Sequence, residues 1–228
     1  MTYAILMMLS FLGPFALSFD KKVSFYRKFK IVFYASLFVA VPFLIWDYYF
    51  TNWGIWGFNS HYLLGYKLLN LPIEEVSFFF IIPFCCLFIH EVLEVYFKPN
   101  PSPQFILSCV VICILISVIL INLFHERTYT FWANILFIFL ILLGYFKFRE
   151  SLGRFIFTYI VCIIPFLIVN GILTGFITTE PIVWYNNAEN ISMRIGSIPI
   201  EDLFYNFDLL FANVIIYDRL KSKFLSDC

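Results

Sequence analysis

The chain has 228 residues, of which 62% are hydrophobic and 13% charged, with a mean hydropathy of +0.88 and a formal net charge of +0 at pH 7. Soluble domains carry about a quarter of their residues as charges, so these figures exclude a soluble enzyme; the net charge itself says nothing about partners, and the placement of the charges shows no patch for nucleic acid. Since a bilayer span takes about 20 mostly apolar residues, a chain of this length has room for about seven helices and almost no extramembrane domain.

Apolar runs and their polar breaks predict helices over about 2–19, 29–50, 72–96, 104–124, 128–147, 155–178 and 199–219. The fold class is all-α and polytopic. The first run is followed, not preceded, by Lys21 and Lys22, an order that suits a retained helix better than a cleaved signal. With the N-terminus outside, the inner segments hold twelve of the 15 Lys and Arg residues, and only Lys67, Arg127 and Arg194 lie outside. That asymmetry predicts a multi-pass protein of the cell membrane, N-terminus out and C-terminus cytoplasmic. Cys85, Cys86, Cys109, Cys113, Cys162 and Cys228 form no CxxC pair and read as packing residues.

One signature occurs twice, 127 residues apart: Leu71-Pro72-Ile73-Glu74-Glu75 and Ile198-Pro199-Ile200-Glu201-Asp202. Pro42-Phe43-Leu44-Ile45 recurs as Pro165-Phe166-Leu167-Ile168 at an offset of 123, and Phe58-Asn59 recurs as Tyr185-Asn186. Lys67 then aligns with Arg194, Asp47 with Asn170, and His90-Glu91 with Tyr217-Asp218. We expect two parallel three-helix repeats, 1–98 and 127–228, joined by a linker helix within 99–126, with an axis along the membrane normal. Both acidic signatures then fall on the outer face.

Acidic groups at the edge of hydrocarbon are costly and are functional candidates by default. A proline at the first helical position followed by acids in the first turn is also simply a good helix start. Adjacent helix positions diverge by about 100°, so the two carboxylates of one copy cannot both face one cavity squarely. Glu74 and Glu201, identical in the two copies, are the first candidates for proton donors, with Glu75 and Asp202 as the rivals. Phe78, Phe79, Phe204 and Tyr205 follow the acids, and rings at these positions can stabilise a cationic intermediate by about 2 kcal/mol each when dry. Asp47 and Asn170 could hydrogen-bond the opposing carboxylates or end their helices; Asn59 and Asn186 suit loop turns; Lys67 and Arg194 are the upstream cations. Glu91 and Asp218, about 25 Å away by helical rise, suit structural pairing with inner cations. The span centres otherwise read as apolar.

No GxGxxG follows a strand, and the three dispersed histidines His61, His90 and His125 cannot furnish a di-iron centre. There is no DxxxD diphosphate motif and no mid-span lysine in the last helix. The reading is acid–base chemistry with no cofactor and no metal.

These residues resemble the small integral-membrane lycopene cyclases, in which a three-helix domain carrying Pro-x-Glu-Glu/Asp occurs twice. The most specific matches are Leu71 to Glu75, Ile198 to Asp202, and Asn170-Gly171-x-Leu173-Thr174-Gly175. The resemblance implies cyclisation of the linear ψ-ends of lycopene to β-rings without net redox change, with lycopene or a related carotenoid and the lipid bilayer as partners. The second connecting loop has Glu189, Asn190 and Ser192 where the first has Tyr62, Leu63 and Gly65, a departure that opens the possibility of unequal sites. Another class of protein fits the same acids: a small proton-coupled transporter or a carotenoid-binding membrane protein. A cyclase making another ring type or taking an elongated carotenoid is a third reading. Oligomeric state is not legible.

Overall fold

In hydrocarbon every backbone polar group needs an internal partner, so the apolar runs fold as helices. The computed structural model describes residues 1–226; Cys228, read above as a packing residue, lies outside them. The helices are α1 (Thr2–Leu17), α2 (Phe29–Asn52), α3 (Ile73–Tyr96), α4 (Pro103–Phe124), α5 (Thr128–Lys147), α6 (Arg149–Leu173) and α7 (Glu201–Ser226). Among the described residues the segments Phe25–Asn52, Ile73–Tyr96, Pro103–Phe124, Thr128–Lys147 and Arg149–Leu173 are long and apolar enough to cross a bilayer. The chain is a multi-pass, all-α membrane protein. α1, with 16 residues, is only about 24 Å long, and α7 is polar along much of its length.

Three helices, α3, α6 and α7, differ at their ends from the sequence expectation. α6 begins at Arg149 and ends at Leu173, not over 155–178. Its charged first turns stay helical because Arg154 pairs with Glu94 at 2.8 Å and with Asp218 at 2.9 Å. Its far end is set by Gly175 at φ +98, a left-handed position next to the Pro181 backbone. Pro72 and Pro199 close short strands instead of opening helices: α3 starts at Ile73 and α7 at Glu201. The centre of α7 is also not apolar, since Asn206, Asp208 and Asn213 are buried in it.

Helix packing exchanges partners between the halves. α1 packs on α3 as α5 packs on α7, while α2 lies against α7 and α6 against α3; α4 packs chiefly on α5. The loops carry six short strands: β1 (Trp56–Phe58), β2 (Lys67–Leu68), β3 (Leu71–Pro72), β4 (Val183–Tyr185), β5 (Arg194–Ile195) and β6 (Ile198–Pro199). β2 pairs β3 and β5 pairs β6 in the same antiparallel register, Lys67↔Pro72 and Arg194↔Pro199.

The first loop meets the second in β1 and β4, which run antiparallel with Trp56↔Tyr185, Gly57↔Trp184 and Phe58↔Val183. Asn59 N–H donates to the Ile182 carbonyl and Asn186 N–H to the Ile55 carbonyl, both at 2.8 Å. Gly57 and Trp184 stand 127 residues apart, the offset of the repeat, and the flanking pairs are displaced equally to either side of them, so the halves are exchanged about the Gly57–Trp184 pair. Gly57 lets the Trp184 indole lie across it, because a Cβ there would stand 2.4 Å from the ring and force it to shift.

The opposite end of the helices is held by ions. Glu91, 1% exposed, lies between Lys28 and Lys221 and accepts the Tyr217 hydroxyl at 2.7 Å. Asp218 takes Arg154 and, at 2.5 Å, the Ser151 hydroxyl. Both acids are paired with cations at this end, and neither reaches the loops that carry the strands.

Candidate active site

Beneath the β1–β4 crossing lies a cavity of about 50 Å³ lined by three carboxyl side chains, Asp47 from α2, Glu75 from α3 and Asp202 from α7. No Lys, Arg or His is among its lining residues. The paired-acid segments of the two repeats thus meet in one place, each supplying its second acid.

The two second acids are held alike at one point and unlike at others. Tyr3 of α1 donates its hydroxyl to Glu75 Oε2 at 2.6 Å, and Tyr129 of α5 donates to Asp202 Oδ1 at 2.6 Å. Asp202 Oδ2 also receives Asn170 Nδ2 at 2.6 Å and the Tyr185 hydroxyl at 2.9 Å. Burial, then the Asp202 carboxylate, push the Tyr185 hydroxyl above the ordinary tyrosine range, so it remains a donor. Asp47 Oδ1 accepts Trp56 Nε1 at 2.5 Å, while its other oxygen has no protein partner. Asp202, with three donors, is therefore the best-satisfied anion of the three.

Rings enclose this polar centre. Trp56 lies 5.0 Å from Tyr129 and 6.0 Å from Tyr205, and Tyr129 stacks on Tyr185 at 5.9 Å. Phe78 and Tyr205, four residues after Glu74 and Glu201, both line the cavity. Phe79 and Phe204 do not: Phe79 packs against Phe43 at 6.3 Å and Phe204 against Phe137 at 5.1 Å.

The first-choice acids lie elsewhere. Glu74 and Glu201 are buried at 2% and 0% exposure, and each Oε1 accepts a loop amide ten residues upstream: Leu64 N at 2.6 Å and Ile191 N at 2.7 Å. Thr130 donates a further 2.6 Å bond to Glu201. Their geometry is that of loop anchors, and the 100° turn between neighbours sends Glu75 and Asp202 into the cavity instead. Lys67 and Arg194 stand exposed in the ladders. Arg194 is engaged by the Ser197 carbonyl at 2.7 Å and Asn187 at 2.8 Å, away from the acids. Asn59 and Asn186 form loop turns by accepting His61 N at 3.1 Å and Ala188 N at 3.0 Å.

Sequence reasoning missed Tyr3, Tyr129, Trp56 and Asn206. Asn206 is 3% exposed, neither atom of its amide has a partner, and it lines both this cavity and an adjoining apolar groove of about 210 Å³. That groove runs between α1, α3, α6 and α7 and shares Phe78, Phe166 and Asn170 with the cavity as well.

Fold and site together define a polytopic helical membrane protein whose interlocked halves close a carboxyl-lined, aromatic-walled cavity. The chain belongs to the lycopene cyclase family: the family model described as Lycopene cyclase matches residues 1–93 and 126–220. It is similar to the bifunctional lycopene cyclase/phytoene synthase of Phaeosphaeria nodorum, 32% identical over 78 residues, which are 34% of this chain and 13% of that protein. The protein of the same name from Pyrenophora tritici-repentis is 43% identical over 53 residues, 23% of this chain and 9% of that one. The matches thus span about a tenth of these curated relatives. No solved structure matches the chain.

Proposed function

We propose that this protein is a lycopene β-cyclase of carotenoid biosynthesis, converting linear ψ-ends to β-rings at one site shared by its two halves. The observation that carries this reading is the meeting of Glu75 and Asp202 in one cation-free cavity that opens onto an apolar groove. Three carboxyl groups in a dry site resist joint ionisation, so a proton is retained among them.

In the proposed reaction Glu75, which takes the Tyr3 hydroxyl bond, gives its proton to C2 of the terminal double bond. The C5–C6 double bond attacks the resulting C1 cation, forming the C1–C6 bond and moving the charge to C5. Loss of the C6 proton leaves the C5–C6 double bond of the β-ring. One proton enters and one leaves, so atoms and electrons balance without an oxidant. Asp202, held by three donors, faces the cation as a fixed negative charge and takes the departing proton. Trp56, Tyr205 and Phe78 supply ring faces, each contributing about 2 kcal/mol to a desolvated cation.

Residues 1–98 and 127–228 are, in this reading, two copies of a three-helix unit, with 99–126 as the join that makes them parallel. The excess of Lys and Arg near the ion-paired end supports the reading that this end faces the cytoplasm. A proton-relay or transport reading has one observation in its favour, the fully buried Asp208, whose two oxygens have no protein partner. Expressing the chain in lycopene-accumulating cells and separating the pigments by chromatography distinguishes the two. A cyclase yields one-ring and two-ring products at the expense of lycopene; unchanged lycopene overturns the proposal.

A further inference from the structure

The exchange of the halves gives the apolar groove a counterpart. Between α2, α5 and α7 lies a second groove of about 370 Å³, in which Pro42 and Phe43 stand where the first groove has Pro165 and Phe166. Ala212 of this second groove occupies the place of Cys85 in the first. The two differ in one respect that matters for an elongated apolar guest. The first groove has lining residues in common with the carboxyl cavity, whereas the second has none.

Two replacements account for this. Trp46 stands where the first groove has Val169, and Tyr205 stands where it has Phe78. Their rings meet edge to face at 5.8 Å, and Phe43 meets Tyr205 in the same manner at 5.3 Å. Three packed aromatic rings thus stand between the second groove and the acids. In the first groove the matched wall is Val169, Phe166 and Phe78, with the unpartnered amide of Asn206 beside them.

Resting on the cyclase reading above, we infer that a linear polyene reaches the acids through one groove only, the one between α1, α3, α6 and α7. The groove beside Trp46 is a blind copy. Val169 and Trp46 are then the residues that decide which half admits substrate. One end of the polyene is processed per encounter, and a two-ring product requires the one-ring intermediate to leave and return reversed.

The test uses the same substitution at the two matched positions, in full-length protein purified in detergent. Cys85→Phe narrows the first groove and Ala212→Phe the second. Expected is a loss of ring formation of about tenfold or more for Cys85→Phe and less than about twofold for Ala212→Phe. Lycopene binding to the same pair made in a Glu75→Gln background, followed by induced visible circular dichroism, reads the groove without turnover. Binding should be lost only with Cys85→Phe. Val169→Trp repeats the first arm should Cys85→Phe not fold. Equal effects at the two matched positions, or a larger effect at Ala212, overturn the inference. A wild-type chain that binds lycopene through the first groove and forms no rings contradicts the cyclase reading alone.

Discussion

Glu75→Gln is expected to lower ring formation by about 10²-fold or more, the usual contribution of a positioned proton donor, equivalent to about 2.7 kcal/mol of barrier. The amide can still accept the Tyr3 hydroxyl bond, so the cavity keeps its shape and only the transferable proton is lost. Asp202→Asn is expected to fall as far. Its carboxylate accepts from Tyr129, Asn170 and Tyr185, and an amide turns an NH₂ toward at least one of those donors. Glu74→Gln and Glu201→Gln should cost much less, because the Gln oxygen can accept the same loop amide from Leu64 or Ile191. Initial rates of lycopene loss for the four variants, normalised to folded protein, check this order. A larger loss at position 74 or 201 than at 75 or 202 would return the donor role to the loop anchors.

The second large effect is on stability. Glu91→Ala removes one buried carboxylate from between Lys28 and Lys221 and leaves the Tyr217 hydroxyl unpaired. Removing one partner of a fully buried pair costs about 3–5 kcal/mol. The lower end applies here, because the side chains of Lys28 and Lys221 keep 23% and 20% of their surface exposed. A destabilisation of about 3 kcal/mol should appear in equilibrium unfolding in detergent, with the rate per folded molecule unchanged because Glu91 is remote from the cavity. A loss below about 0.5 kcal/mol, the size of an exposed pair, would show that the cluster contributes nothing as a unit.

Much of this arrangement was legible because the chain repeats itself. The 127-residue offset pairs Gly57 with Trp184, which meet at the β1–β4 crossing, and Asn59 with Asn186, which hold its two opposite ends by bonding Ile182 and Ile55. Identity between copies does not single out the acids that line the cavity, however. Glu74 and Glu201 match because both tie a loop to its helix, while the cavity takes the neighbouring Glu75 and Asp202, one turned by about 100°. Lys67 and Arg194 read as cations close to the acids, yet two-residue ladders carry them outward, a constraint that composition does not reveal. Tyr3 and Tyr129 come from α1 and α5, distant in sequence from the motif; extending the repeat to an offset of 126 at these helix starts would have found them. The buried polar residues of α7 have no counterparts in α3, where Phe79, Ile81 and Cys86 take the places of Asn206, Asp208 and Asn213, so no repeat signal marked them.

In the proposed reaction a proton exchangeable with water, carried by Glu75, initiates ring closure. Turnover of lycopene by the purified chain in D₂O, followed by mass spectrometry of the pigments, measures it directly. One deuterium is expected for each ring formed, located at C2; rings without solvent-derived deuterium overturn the proposed proton transfer.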